Sequence, residues 1–152
     1  MLTVKAILDA GAALAEEVWP GEKVYINAVP VNFVRPSCLV KVTGLTAEPE
    51  SRRTAARTAT LRITRFQTVD DRHSVRAEVL AEELALLMDR ASEPVLWVGD
   101  RALDVGRCTG NYEDDYCELT MPLSWIDDRD IAPVTELLME HYKLAVTAGG
   151  EE

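Results

Sequence analysis

Three cysteines and two histidines give the chain the side chains that most often bind zinc or act as catalytic nucleophiles. No two cysteines follow the Cys-x-x-Cys spacing, and the histidines do not follow the His-x-x-x-His spacing, of zinc sites. No serine lies in a Gly-x-Ser-x-Gly elbow, and no glycine-rich phosphate-binding pattern is present. The sequence therefore predicts no metal site, no cofactor and no catalytic residue.

Other polar residues with possible chemistry have simpler interpretations. His73 lies among charged residues at the predicted entry to a helix, and His141 lies on the apolar stripe of a later helix. We interpret the first as a surface residue and the second as packed at the edge of the core. Asp127, Asp128 and Asp130 could bind a cation, but the spaced ligands and the glycine of a calcium loop are missing. We therefore interpret this segment as a solvated loop.

A cross-strand disulfide between Cys108 and Cys117 depends on the register of a predicted hairpin. A symmetric turn between Tyr112 and Glu113 would place the two cysteines opposite each other. Shifting the register by one residue instead pairs Val105 with Leu119 and Leu103 with Met121. Because a slip of one residue exchanges the two faces of a strand, the apolar match should decide the register. We therefore expect free thiols.

The clearest local charge anomaly is a stretch from Ser51 to Val69 that contains arginines and no acidic residue. Arg57, Arg62 and Arg65 could lie on a solvent-exposed face. They could instead meet the acidic residues Glu113, Asp114 and Asp115 of a neighbouring copy. A basic strand and a separate acidic loop in one chain suit a head-to-tail contact, which closes into a ring when the rotation allows. These six residues form a candidate subunit interface, and both interpretations remain open.

The overall charge limits the classes of partner. Among 152 residues, 16 are basic and 26 are acidic, which gives a net charge of −10. Wrapping duplex nucleic acid or binding an anionic membrane requires positive charge, so neither is expected. The acidity keeps a protein soluble, or it lines a channel through which DNA passes without binding. The sequence shows no apolar run of membrane-spanning length and no signal-peptide pattern, so we expect folding in a reducing cytoplasm.

The stretch Tyr116–Trp125 organises the predicted fold. Cys117, Leu119, Met121, Leu123 and Trp125 alternate with more polar residues, and this period of two is typical of a strand with one buried face. Proline offers no amide N–H to a neighbouring strand, so Pro122 predicts that this strand lies at an edge or is bulged there.

The remaining patterns complete an α+β fold. We expect a mostly antiparallel mixed sheet with two helices packed on one face, plus a C-terminal helix. Residues 1–146 should form a single domain, and 147–152 a flexible C-terminal tail. Thr3 is the predicted N-cap of the first helix, Asp71 or Ser74 that of the second, and Gly44 to Ser51 a loop. The first predicted helix spans 3–18, the second begins at 70–74 and continues to about Ala91, and the third spans about Ile131–Val146. The other predicted strands are Val24–Ile26, Ser37–Thr43, Thr58–Phe66, Val95–Val98 and Ala102–Thr109.

The order of these elements, with several short motifs, resembles the small tail terminator proteins of long-tailed phages and prophages. The resemblance covers roughly residues 4–125. In the first part of the chain it is carried by the helix that ends at Trp19-Pro20-Gly21, by Lys23-Val24-Tyr25 after this helix, and by Phe33-Val34-Arg35-Pro36-Ser37-Cys38 before an apolar strand. In the second part it is carried by the Arg57–Phe66 strand, by the leucine-rich helix, and by the Asp100-Arg101 turn before the last hairpin.

The resemblance implies a structural role without catalysis. Such proteins form a ring, commonly of six copies, on the head-proximal end of the tail tube, where the ring stops polymerisation and offers a surface for joining to the head. The implied partners are further copies of the chain, the tail tube protein and head–tail connector proteins, with no membrane. DNA would be only a passing cargo in an acidic lumen. The implied location is the virion tail, assembled in the bacterial host cytoplasm.

Three alternatives remain open. One is a head–tail connector or another minor tail protein. A second, of a different class, is a small enzyme or ligand-binding domain whose site is formed by residues distant in sequence. A third is a regulatory interaction module in a host.

Overall fold

The computed structural model of the chain describes residues 1–70, 72 and 75–129. Over these residues the chain forms two helices and seven strands in an α+β arrangement. The predicted C-terminal helix and tail, with His73 and His141, lie outside the described residues. In chain order the elements are α1 (Val4–Val18), β1 (Lys23–Ile26), β2 (Ser37–Pro49), β3 (Thr54–Phe66), α2 (Ala77–Ala91), β4 (Val95–Val98), β5 (Arg101–Val105), β6 (Thr109–Glu113) and β7 (Tyr116–Asp128).

The seven strands form one curled, mixed sheet. Its order is β1-β2-β3-β7-β5-β4, and β6 also pairs with β7. Only the β1–β2 pair is parallel among the described strand pairs, so the prediction of a mostly antiparallel mixed sheet is confirmed. The two ends of the sheet are therefore the short edge strands β1 and β4.

The alternating pattern of β7 fixes the core, as predicted from the sequence. Its alternate residues from Cys117 to Trp125 are buried, and the strand continues to Asp128. On β3, Leu61 lies opposite Met121 and Ile63 opposite Leu119, so the two strands present matched apolar rows to the same side. Because each fully buried aliphatic side chain contributes about 1.5–3 kcal/mol, these paired rows set where the helices dock.

Both helices pack on that apolar face. The side chain of Thr3 caps α1 by accepting a hydrogen bond from the backbone N–H of Ala6 at 3.2 Å, as predicted. A Cβ atom at Gly11 would lie 2.8 Å from Cγ1 of Val40, so α1 approaches the sheet more closely than a larger residue would allow. On α2, Leu84 packs equally closely on Gly110 of β6. The two helices also contact each other, and they share one hydrophobic core.

Pro122 lies in the interior of the sheet, so the prediction of an edge position is wrong. The backbone N–H of Gly106 donates to the Pro122 carbonyl at 2.8 Å, so the N and C=O of this residue face the β5–β6 side of β7. There β5 ends at Val105 and β6 begins at Thr109. The missing N–H therefore falls where the neighbouring strand is interrupted.

The predicted loop at Gly44 to Ser51 is also wrong. The β2 strand passes through a bulge between Thr43 and Leu45 and continues to Pro49, paired with β3 from Thr54 onward. Gly44 has a positive φ of 74°, a conformation that glycine adopts without strain, so the glycine permits a bulge rather than ending the strand. The two strands thus form a long hairpin, and we refer to 45–57 as the hairpin arm.

Two further predictions of local structure fail. The N-cap residue of α2 is Arg76, without a side-chain capping bond, and not one of the two predicted residues, Asp71 and Ser74, which lie outside the described residues. In the last hairpin, Tyr112 lies opposite Cys117 and Gly110 opposite Leu119, so neither predicted register occurs. The turn is tighter than assumed, because Glu113 pairs directly with Tyr116. The three cysteines are free.

Candidate functional site

Arg65, a member of the candidate interface, lies inside the protein. Its residue is 3% exposed, and its guanidinium binds both oxygens of the Glu22 carboxylate and one oxygen of Glu83 at 3.2 Å. The same group lies 4.6 Å from the ring of Trp19. These contacts join the end of α1, strand β3 and α2, so Arg65 has no surface to offer to a neighbouring copy.

Burial around this ion cluster suppresses reactivity rather than creating it. Desolvation raises the pKa of Glu83, against the opposing effect of Arg65. Desolvation also raises the pKa of Cys38 to about 11 and that of Cys117 to about 12. Since the thiolate is the reactive form, both thiols are poor nucleophiles at neutral pH. The cluster therefore serves packing and charge balance.

The other two arginines lie apart from Arg65 and from each other. Arg62 is on the opposite face of the sheet, where Nη1 donates to Glu118 at 2.8 Å and Nε donates to Thr43 at 3.0 Å. Arg57 is on the hairpin arm, partly exposed, with Nη2 3.5 Å from the carbonyl oxygen of Asp128. The three arginines thus do not form one basic patch.

The acidic half of the candidate interface is the β6–β7 turn. Tyr116 donates to the Glu113 carboxylate at 3.3 Å, and the Asp114 carbonyl accepts from the N–H of Val75 at 2.8 Å. This turn lies at the Tyr116 end of β7, whereas Arg57 lies opposite Trp125. The separation along the strand is about 30 Å at ~3.3 Å per residue. Contact between Arg57 and the turn would require a second copy, and this part of the interface stays a prediction.

Asp115 of the same turn anchors a loop that sequence reasoning missed. Its carboxylate accepts from Nη2 of Arg35 at 2.6 Å, and Nη1 of Arg35 donates to the carbonyl of Gln67 at 3.0 Å. The guanidinium lies 4.8 Å from the ring of Phe33, which itself packs 4.7 Å from the ring of Phe66. The loop between β1 and β2 is therefore fixed at its C-terminal half by an ion pair and by aromatic packing.

The remainder of this loop presents apolar side chains to solvent. Val31 is fully exposed, and Val34 is 56% exposed although its N–H donates to the hydroxyl of Tyr25 at 3.1 Å. We refer to residues 31–34 as the valine loop. It lies beside β1, at one edge of the sheet. No periodicity in the sequence signals it, because its two valines belong to neither a helix nor a strand.

An open apolar cleft lies at the other edge of the sheet. It has a volume of about 220 Å³ and lies between α1, the end of α2 and the edge strand β4. Its lining also includes Glu93 and the ion pair between Arg90 and Glu17, whose Nη1 and Oε1 atoms are 2.9 Å apart. Trp97, 61% exposed, is another lining residue. The apolar lining residues include Ala10, Ala13, Leu14, Leu96 and Val105. We refer to this feature as the α1–β4 cleft.

Asp127, predicted in a solvated loop, is buried and belongs to β7. Burial alone would raise the pKa of this carboxyl group. Hydrogen bonds from the N–H groups of Leu2 and Asp128, from Arg101 and from Trp125 outweigh that effect and lower its pKa to about 2. Asp127 therefore ties the N-terminus to β5 and β7. Asp128 is exposed, and Asp130 lies outside the described residues.

Within residues 1–70, 72 and 75–129, histidine, cysteine, aspartate and glutamate side chains do not converge in threes as metal ligands would. Among the helices that the structure describes, none has the length and hydropathy to cross a bilayer. Comparison with known protein families found no matching family model, and a search of curated proteins found no matching relative.

Proposed function

We propose that the chain is a tail terminator: a structural protein whose copies assemble head to tail into a ring on the head-proximal end of a phage tail tube. The ring would stop tube polymerisation and offer a surface to the head–tail connector. The helix–strand order and the motifs given above support this assignment. The work of such a protein is done by interface energy, with no bond made or broken.

The observation that carries the proposal is the outer half of β2. Its residues from Gly44 to Pro49 are exposed, although they form a regular strand. Strand β1 pairs only with Ser37–Val40, so among the described residues nothing pairs with the outer edge of β2 beyond that point. An exposed edge of this kind is a ready surface for another chain. A strand that buries so little in its own subunit favours an assembly role.

The charge of the chain fits the same role. Each copy carries a net charge of −10, so a ring of several copies would be strongly negative, and acidic residues facing its lumen would form a negatively charged wall. Like charges repel, and the DNA that passes through a tail would not adhere to such a wall. The buried ion cluster at Arg65 and the buried Asp127 are occupied by contacts within the subunit, which leaves assembly to the exposed loop, arm and cleft.

The experiment that tests this role compares two exposed leucines. Leu45 lies on the hairpin arm and is 56% exposed, and Leu86 lies on α2 and is 46% exposed. Native mass spectrometry over a range of concentrations should show a ring of fixed stoichiometry for the parent chain and for Leu86→Lys. Leu45→Lys should shift the population toward monomer. A monomeric parent chain that also leaves tail tubes uncapped would refute the proposal.

A further inference from the structure

We infer that the valine loop of one copy inserts into the α1–β4 cleft of the next copy, and that this contact is the repeating joint of the assembly. The inference rests on the head-to-tail ring proposed above, and it assigns the contact to residues outside the arginine and acidic candidates. Three features carry it: the fixed apolar loop, the open apolar cleft, and their positions on opposite edges of one sheet.

The valine loop is built to protrude. Arg35 and Phe33 hold its base through Asp115 and Phe66, while Val31 is left fully exposed. An exposed aliphatic side chain on a fixed loop loses little conformational freedom when it docks, because most of the ordering has already occurred on folding. Less of the free energy gained by burying it against a partner is therefore spent on ordering the loop.

The α1–β4 cleft offers the matching concavity. Alanines and aliphatic residues make up most of its lining, and the lining residue Trp97 remains largely in solvent rather than closing it. Exposed aromatic side chains beside a small apolar pocket are the usual composition of an energetically important contact between proteins. The pocket suits branched aliphatic side chains such as those of Val31 and Val34.

Position and charge select a second copy as the occupant. The sheet order places β1, beside the valine loop, at one edge and β4, beside the cleft, at the other. A protrusion and a recess on opposite edges make a heterologous contact that every copy can repeat, which produces a ring or a helical filament. Lys23 on β1 is basic, whereas Glu17 and Glu93 outnumber Arg90 in the lining of the cleft. The two edges are therefore complementary in charge as well as in shape.

Paired cysteine variants test the contact directly. Ala13 in the cleft and Val31 on the loop are both exposed, and Cys108→Ser removes the partly exposed native thiol. With a short bismaleimide, neither Val31→Cys nor Ala13→Cys alone should give cross-linked dimers. An equimolar mixture of the two should give them. Ala13→Cys mixed with Arg52→Cys, at the exposed tip of the hairpin arm, is the matched negative control.

A second variant measures the strength of the joint. Val31→Asp should raise the apparent dissociation constant for assembly about 10- to 100-fold, because one aliphatic side chain loses its burial. Leu86→Asp, at an exposed site of α2 outside the loop, the arm and the lining of the cleft, should leave assembly unchanged. Cross-linking of Val31→Cys with itself, or the absence of the mixed cross-link at every concentration, would overturn the inference. If tail tubes are capped but the mixed cross-link does not form, the proposed contact between loop and cleft is wrong and the capping role stands. If the cross-link forms but tubes stay uncapped, the contact stands and the capping role is wrong.

Discussion

Replacing Arg65 with leucine leaves two carboxylates, Glu22 and Glu83, without the guanidinium that both contact. Removing one partner of a buried ion pair usually costs 3–5 kcal/mol, because it leaves an uncompensated charge in a medium of low polarity. The side chains of Glu22 and Glu83 keep 25% and 15% of their exposure, so we expect about 3 kcal/mol, at the lower end of that range. For a domain stabilised by about 5–15 kcal/mol this loss is large.

The matched control is Arg62→Leu on the same strand. Its guanidinium pairs with Glu118 on the opposite face, and its side chain is 39% exposed, against 4% for Arg65. Solvent-exposed ion pairs contribute about 0–1 kcal/mol. Urea unfolding followed by circular dichroism should therefore show a large loss of unfolding free energy for Arg65→Leu and a small one for Arg62→Leu.

The pH dependence gives the experiment a second readout. Burial raises the pKa of Glu83 in the folded state, so the folded protein binds this proton more readily than the unfolded chain does. The contribution of Glu83 to the stability of the folded state is therefore lost as the pH rises through its folded-state pKa. Arg65 opposes that shift, so Arg65→Leu should raise the pKa of Glu83 further. The variant should then recover part of its stability on acidification or with Glu83→Gln added. Equal losses at the two arginines, or a change in native mass without a loss of stability for Arg65→Leu, would refute the buried placement.

Three further variants test other parts of the structure. Asp127→Asn should lower the unfolding free energy by on the order of 2 kcal/mol at neutral pH. The difference in unfolding free energy between the variant and the parent chain should shrink as the pH falls from 3.8 through the folded-state pKa of about 2, and parallel acid-unfolding curves would contradict this. Gly11→Ala should lower the melting temperature despite better helix propensity, because its Cβ would lie 2.8 Å from Val40; an unchanged melting temperature would argue against the close approach. Arg35→Ala should speed thermolysin cleavage within 27–34 and should also lower the unfolding free energy, because Asp115, with a side chain only 18% exposed, loses the guanidinium it binds; an unaltered cleavage rate would show that the ion pair does not fix the loop.

The core strands were predictable because their periodicity is simple. Alternation over Tyr116–Trp125 identified the buried row of β7, and the β-branched composition of Thr58–Phe66 identified β3 as a strand, whereas the pairing of the two strands came from the structure. The edge position predicted from Pro122 was wrong because a proline shows that one backbone hydrogen bond is missing but not why the neighbouring strand is absent there. In the fold an interruption between two neighbouring strands satisfies the same requirement as a sheet edge.

The burial of Arg65 was not predicted, although the sequence contains a signal for it. Arg65 has the same parity on β3 as the buried residues Leu61 and Ile63, whereas Arg62 has the opposite parity. The prediction placed Arg65 on a surface because its side chain is charged, and it gave less weight to the position of the residue in the alternating pattern. An arginine can be buried where suitable carboxylates contact it. Those carboxylates, Glu22 and Glu83, come from other elements, and their proximity depends on tertiary packing.

The exposed features could not be predicted from local pattern. The hairpin arm depends on whether Gly44 ends a strand or bulges it, and both outcomes are compatible with a glycine of positive φ. The valine loop and the α1–β4 cleft arise from segments far apart in sequence, and neither carries a periodic signal. The sequence indicated an assembly role through its resemblance and through the separate basic and acidic segments, and the exposed loop, arm and cleft became visible only in the fold.

The most direct test of the ring-capping proposal is the length distribution of tail tubes. Cognate tail tube protein should be polymerised with and without one equivalent of ring per expected tube, and tubes should be measured by negative-stain electron microscopy. The account predicts that tubes stop growing and carry a ring at one end, and that Leu45→Lys abolishes both effects while Leu86→Lys preserves them. Tubes of unchanged length with bare ends, in the presence of folded protein, would contradict it.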